Sequence, residues 1–375
     1  WDQIYRVESK FYIPPKNDEF ALTSPALAEL MQLKFPEILS FTRLQNAGQI
    51  LFRIDDNNFY VDDIYFADST MFDVFTHKFI QGDPKTALEE PRSIVLTERT
   101  AKRLFGDRNP LNELVETDNS TFTVKGIIEN LPDNVHLKFN ALISFTTATS
   151  GQPTLTTQQK TQQLWNIALY SYIKLPPDYN PKNINDRFSE FFDEYMKPLA
   201  QQVPSLREAS FEPMLVPLNE VHFNSKVQYD LPTGNKAYTL AFMAIGIFVL
   251  VLASINYMNL ATARATKRSK EVGIKKVMGS TKRQLISQFM GESILITFVS
   301  LIVAIIIVSL LIYASPMNDL LGKDITLNFL DNNLLLFGSL GITVLLGVLS
   351  GLYPAFYLSS ISVLVAMKGS QSPSW

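Results

Sequence analysis

Residues 237–263, 293–318 and 332–367 contain no Asp, Glu, Lys or Arg, and this constrains the fold of the chain more than any other feature. A helix needs roughly 20 apolar residues to cross the hydrocarbon core of a bilayer, and each stretch holds a run of that length. Three membrane helices are expected, at about 238–261, 293–313 and 334–358.

The link between the first two stretches carries Arg264, Lys267, Arg268, Lys270, Lys275, Lys276, Lys282 and Arg283 against Glu271 and, at its far edge, Glu292. Short loops rich in Lys and Arg stay on the cytoplasmic side, whereas the second loop, around Asp319, Lys323, Asp324 and Asp331, is mildly acidic. The expected topology places a cytoplasmic loop at 262–290 and residues 1–237 outside the cytoplasm. Of the 33 Lys and Arg only ten follow residue 237, and of the 36 Asp and Glu only five, so a part of charge −8 precedes a part of charge +5. The whole-chain value of −3 hides two opposite halves.

A region of 237 residues is large enough to bury its own core, as one lobe or two. The chain opens at Trp1 with no basic and apolar leader, so an upstream membrane helix is expected to be missing. Cysteine is absent, which leaves neither a disulfide framework nor a thiolate site.

Runs rich in β-branched and aromatic residues predict strands at Gln3 to Val7, Gln49 to Ile54, Asn58 to Phe66, Ser93 to Leu96, Thr121 to Ile128, Ala141 to Phe145, Leu169 to Leu175 and Phe211 to Val216. Helical signals lie between them. Thr97 is an N-cap candidate for a helix through Phe105, with Gly106 just past its end. Ile184, Phe188, Phe191, Phe192 and Tyr195 recur at helical spacing across Asn183 to Lys197, a stripe expected to be core, with Pro198 ending it. Thr146 to Gln163 reads as a loop or a lobe junction, Asp107 to Pro110 and Pro132 to Asn134 as turns. Val227 to Lys236, with Pro232 and Gly234, is the expected junction. The fold class is therefore an α+β (mixed α/β) extracytoplasmic domain followed by an all-α membrane domain.

Catalytic chemistry is hard to find. His77, His136 and His222 lack ligand spacing, so a metal site has no support. No nucleophile elbow, HExxH, GxGxxG or phosphate-cradling GxxxxGK[ST] pattern is present, so any ATPase is expected on another chain. The pairs Asp62-Asp63 and Glu89-Glu90 are adjacent residues that do not share a face in a strand. No charge lies within a span, which argues against a proton relay or ion path.

The basic link has more structure than an anchor requires. The first helix is expected to run past Ala261, and a short amphipathic helix to follow at Glu271 to Met278, with Ile274, Val277 and Met278 on one face. Bends are expected at Gly273 and Gly279, and Thr281 with Gln284 is a capping-box start for the next helix, whose apolar stripe is Leu285, Ile286 and Phe289. Two readings stay open: cations lying on anionic lipid, each contributing about 1 kcal/mol, or a rigid foot docking in a cytoplasmic partner. Gly347 and Gly351 form a GxxxG spacing that permits close helix contact, as a dimer interface would need, although glycine is common in membrane helices in any case.

The run from Ala263 to Ser280 resembles the signature loop of MacB/FtsX-type ABC transporter permeases, in which an acid, an aliphatic residue, Gly, an aliphatic residue, two basic residues and a small-residue stop form a coupling helix. Phe72, Gly82 to Pro84, Val95 to Thr97, Leu104 to Gly106, Pro110, Val124 to Pro132, His136 and Phe139 resemble the family's periplasmic core domain. Gly351, Tyr353, Pro354 and Ala355 resemble its last span. The chain departs from the pattern at Asn112 and Glu113, where the family has Gly-Lys, and near Val363, where a proline is expected.

The resemblance implies a MacB-like periplasmic core domain at 1–237 and an FtsX-like permease membrane domain at 238–375, in a bacterial inner membrane. It implies a permease subunit that is not itself an enzyme and binds no cofactor, coupled through Glu271, Gly273, Ile274, Lys275, Lys276, Val277, Met278 and Gly279 to a separate cytoplasmic ATPase that holds ATP-Mg. It also implies a homo- or pseudo-dimer and a periplasmic adaptor or envelope partner, with no role for nucleic acid. The alternative is an FtsX-like regulatory or sensor protein controlling an envelope enzyme or signalling pathway.

Overall fold

The computed structural model describes residues 3–132, 135–150, 155–223, 227–231, 234, 236–314, 329 and 332–360. The acidic second loop, Pro232 of the expected junction, Asn134 of an expected turn and Val363 lie outside them. The chain forms two units, Trp1–Lys236 and Ala237–Trp375.

The first unit is built on a sheet of eleven strands: β1 (Ile4–Ile13), β2 (Lys16–Phe20), β3 (Ser40–Ile54), β4 (Asn57–Ala67), β5 (Phe79–Gly82), β6 (Ser93–Thr97), β7 (Leu114–Glu116), β8 (Thr121–Ile128), β9 (Ala141–Ser144), β10 (Tyr170–Lys174) and β11 (Ser210–Pro217). Their order is β11-β1-β10-β3-β4-β9-β6-β8-β5, with β2 on β1 and β7 bridging β3 and β8. Among the described strands the pairs β4/β9 and β6/β8 run parallel and the other pairs antiparallel, with an isolated parallel bridge at Phe20 and Gln228. All eight expected strands are present within a longer set.

β1 runs well beyond Val7 because its polar middle is paired rather than exposed. Glu8 is fully buried and accepts from the buried Arg6 guanidinium. Fully burying an apolar side chain contributes about 1.5–3 kcal/mol, and one cluster gathers Phe11, Leu27, Leu30, Phe35, Phe188, Phe191 and Phe211. The aromatic stripe of 183–197 is thus core, as expected. Its helix is broken, however, into Lys182–Asp186, Phe188–Phe191, a π-turn at Phe192–Met196, and Lys197–Gln202. Pro198 starts that last segment instead of ending the pattern, since a first-turn proline gives up no helical hydrogen bond.

The Thr97 hydroxyl accepts from the Thr100 amide to begin the helix Glu98–Phe105, and Gly106 follows at φ 63°. The stretch 146–163, expected as a loop or a lobe junction, holds the helix Thr157–Gln163 behind a Thr156/Gln159 capping box. None of its residues is buried, so it offers no apolar period to read.

Among the described residues, three helices are long and apolar enough to cross a membrane, within Lys236–Val277, Lys282–Ala314 and Asn333–Ser360.

Candidate functional site

The first long helix is continuous for 42 residues. At 1.5 Å per residue it is about 63 Å long, twice the thickness of a hydrocarbon core. The short separate helix expected at 271–278 is therefore the last two turns of the first span's own helix, and the bend expected at Gly273 is absent. An interior glycine costs a helix about 1 kcal/mol against alanine, too little to break a long helix whose turns are formed on either side of it in the chain. Gly273 is buried, and beside it Val272 is buried against Leu285 and Leu358, with Phe289 closing the cluster.

At Gly279 the helix does stop, in a left-handed residue at φ 93°. The Ser280 amide donates to the Lys275 carbonyl at 2.9 Å and the Gly279 amide to the Lys276 carbonyl at 3.1 Å, the two bonds of a Schellman motif. Two residues later the Thr281 amide donates to Gln284 Oε1 at 2.8 Å and the Gln284 amide to Thr281 Oγ1 at 3.3 Å, so the capping box read in the sequence starts the second long helix. Both helix ends are thereby satisfied within a tight elbow.

The elbow sorts its side chains onto two faces. Lys275 Nζ donates to Gln288 Oε1 at 3.1 Å, and Lys276 Nζ to the Ser359 carbonyl at 2.7 Å in the last turn of the third helix, where a cation complements the helix dipole. Ile274, Val277 and Met278 point the other way and are 54%, 66% and 81% exposed, with Glu271 exposed nearby. An apolar triad of this kind beside paired cations can seat in a partner's groove.

Gly347 and Gly351, in the third helix, face the second helix rather than open surface. A Cβ at Gly347 would stand 2.7 Å from Thr297 Oγ1 and 2.9 Å from the Ile294 Cα. The third helix includes Pro354 and buries it together with Ala355. Between the three helices lies a cavity of about 410 Å³, with Leu250, Tyr257, Ile296, Ser300, Ser339 and Leu346 in its wall and no ionisable carboxylate or amine. The hydroxyls of Ser300 and Ser339 donate to carbonyls of their own helices, which leaves the wall largely apolar.

In the first unit the structure joins residues that the sequence keeps apart. Arg6 donates to Asp230 through Nη1 to Oδ1 at 2.6 Å and Nη2 to Oδ2 at 2.9 Å. His136 Nε2 lies 3.2 Å from Arg6 Nη1 and accepts from it, and the His136 and His222 rings are 6.4 Å apart. Two of the histidines that lack ligand spacing in the sequence thus come near each other, yet among the described residues no three His, Cys, Asp or Glu group as metal ligands would. Burial opposes the Arg6 charge, but Asp230, Tyr172 and Glu8 outweigh it and raise its pKa. Burial likewise opposes the Asp230 charge, while His136 and Arg6 hold its pKa below the ordinary carboxylate value. Asp230 lies far from Arg6 in the chain and outside any strand pattern, so no sequence signal pointed to it.

A large mixed-sheet domain followed by three membrane-length helices defines a membrane-anchored protein whose folded extramembrane part leads directly into its spans. Residues 2–191 match the MacB-like periplasmic core domain and residues 243–363 the FtsX-like permease C-terminal domain. The chain belongs to the MacB/FtsX-type ABC transporter permease family.

Among curated relatives it is similar to the macrolide export ATP-binding/permease protein MacB of Bdellovibrio bacteriovorus, 27% identical over 145 residues, or 38% of this chain and 21% of that protein. The same protein of Agrobacterium fabrum is 23% identical over 132 residues, 35% of this chain and 20% of the relative. An uncharacterised ABC transporter permease, YknZ of Bacillus subtilis, is 36% identical over 56 residues, 15% of this chain and 14% of its own length. The matched stretch thus spans about a fifth of the MacB proteins. The crystal structure of a permease domain from Porphyromonas gingivalis shares the fold of the first unit, with TM-score 0.50 at 18% identity over 64% of this chain and 96% of that one.

Proposed function

We propose that this chain is the permease subunit of an ABC system in a bacterial inner membrane, with residues 1–237 in the periplasm and the 262–290 elbow in the cytoplasm. A separate cytoplasmic ATPase carries the ATP-Mg chemistry and docks on Ile274, Val277 and Met278. The supporting observation is the outward triad itself: three large apolar side chains exposed at the end of a 42-residue helix, where Val272 turns the other way and is buried against Leu285 and Leu358.

The rest of the elbow then has assigned work. Glu271 supplies charge complementarity to the ATPase. Lys275 and Lys276 contribute their charge while tying the foot to the second and third helices, so displacement of the foot moves three helices together. Gly279 sets the stop, and Gly273 lets Val272 seat. A continuous helix carries the movement across the bilayer without a joint to absorb it. The uncharged cavity fits this role better than it fits a path for charged solutes. The substrate is then met in the periplasm, and the working unit is a homo- or pseudo-dimer with a periplasmic adaptor or envelope protein.

The test is co-purification of the full chain with its ATPase. Ile274→Asp with Val277→Asp should abolish association while leaving the chain folded in the membrane; undiminished association overturns the docking assignment.

A further inference from the structure

We propose that residues 227–231 form a clasp that fastens the chain to β1, an interior strand next to the edge strand β11, a few residues before the first long helix begins, so that the covalent route from that helix to β1 and β10 has a fixed point on the sheet. The proposal rests on the transmission role given above and adds to it the element that keeps the route from going slack.

Arg6 is the centre of the clasp. It lies in register with Tyr172 on β10 and Val216 on β11, so it sits within the sheet and not at an edge. Its guanidinium is fully buried and grips both Asp230 carboxylate oxygens, a two-point fork geometry that fixes orientation as well as distance. Glu8 holds the same guanidinium from below on its own strand.

Further contacts hold the segment on either side of Asp230. The Gln228 amide donates to the Glu19 carbonyl at 2.8 Å and the Gln228 carbonyl accepts from the Ala21 amide at 3.0 Å, which adds one rung of parallel sheet beyond β2. Tyr170 Oη donates to the Tyr229 carbonyl at 3.0 Å, and the Tyr229 ring stacks on Phe20 with centroids 6.0 Å apart. Val227 is buried in the core. The Gly234 amide donates to the His222 carbonyl at 2.8 Å, only two residues before the helix begins at Lys236.

A segment serving only as a linker has no need of these contacts. Interdomain linkers are ordinarily exposed, polar and mobile, because few contacts cross them. Here a buried ion pair, a sheet rung, a tyrosine and an aromatic stack all act on five residues. Removing the Asp230 charge leaves the Arg6 guanidinium with Glu8 and takes the fork from the 227–231 segment, which loosens that segment selectively because the sheet is held by its own strands.

The experiment uses the full chain in lipid nanodiscs without any ATPase. The absence of cysteine allows two spin labels to be placed at Asn58→Cys, exposed on β4, and Lys236→Cys, exposed at the helix start. A narrow distance distribution is expected for the parent. In Asp230→Asn the distribution should widen at least about twofold, and amide exchange at 227–231 should speed up about tenfold, with the β3 and β4 amides unchanged. Arg6→Lys, which keeps the charge but loses the fork, should give the same pattern. Tyr170→Phe, which leaves every charge in place, should give a smaller version of it and carries the test if the charge variants fail to fold.

An unchanged distribution in folded variants overturns the clasp. So does faster exchange spread evenly over the sheet, because the pair then merely supports the core. With no ATPase in the sample, a failure of ATPase docking elsewhere does not alter either result.

Discussion

Gly351 lies so close to Ser293 that a methyl group built on the glycine would stand 2.6 Å from the serine hydroxyl oxygen. One turn earlier Gly347 meets the Ile294 backbone at the same helix crossing, so the pair closes the second and third helices of a single chain. Overpacking of this kind costs about 1–3 kcal/mol. Gly347→Ala and Gly351→Ala should each lower the thermal stability of the detergent-solubilised chain. Gly338→Ala and Gly341→Ala, which meet nothing within 4 Å, should not. Equal effects at all four positions would contradict the assigned crossing.

The stop at Gly279 makes a sharper prediction because two independent features create it. A non-glycine residue at φ 93° is strained by about 1–2 kcal/mol, and loss of the Thr281 cap costs about 1 kcal/mol. Gly279→Ala should therefore speed amide exchange at Met278 to Ser280 more than Thr281→Ala does. The opposite ranking would mean that the second helix's cap, and not the first helix's stop, shapes the elbow.

His77 makes stability depend on pH. Its ring packs on Phe72, Phe75 and Phe139, and burial lowers its pKa from 6.5 to about 4. The depressed value means that the unfolded chain binds this proton first as pH falls. The histidine's contribution is thus complete above pH 6.5 and is lost progressively between 6.5 and 4. The shift corresponds to roughly 3 kcal/mol. His77→Phe should flatten the unfolding free energy across that window, and a parent chain equally stable at both ends would refute the burial effect.

Residues whose signal is local were legible in sequence. The Thr97 cap, the Gly279 stop and the Thr281/Gln284 box each declare themselves within four residues, and all three form as read. What escaped is non-local. The pairing of Glu8 with Arg6 hid half of β1, because a charge reads as exposed until its partner is known. Asp230, 224 positions from Arg6, could be joined to it only by the strand order. The unbroken helix through Gly273 escaped for a related reason: Leu285 and Leu358, which cover its neighbour Val272, come from two other helices.

Asn112 replaces the glycine of the family pattern, and the structure gives the reason it is accommodated. It takes φ 66°, a left-handed conformation that asparagine tolerates better than other side chains, and its amide donates to the Val124 carbonyl at 2.8 Å. Asn112→Ala should destabilise the chain by about 1 kcal/mol, while Asn112→Gly should be close to neutral. Equal losses in chemical denaturation would show that the asparagine side chain, and not its backbone angle, is what matters.

The continuity of the first helix can be measured directly. Leu260 and Ile274 are 14 residues apart, close to four full turns, so both face the same side, and both are exposed. Along an unbroken helix their Cα atoms are about 21 Å apart. Spin labels at Leu260→Cys and Ile274→Cys should report one narrow distance consistent with that spacing and unaffected by salt. Adding Arg264→Pro removes an interior hydrogen bond and costs about 3 kcal/mol, so the distance should shorten or spread. On the proposed function, and because the Schellman stop and the outward triad lie beyond position 264, this variant should still bind the proposed ATPase through Ile274's neighbours Val277 and Met278, yet fail to transmit movement to the first unit. A broad distance in the parent chain would restore the separate short helix. Retained transmission in Arg264→Pro would remove the rigid helix from the mechanism.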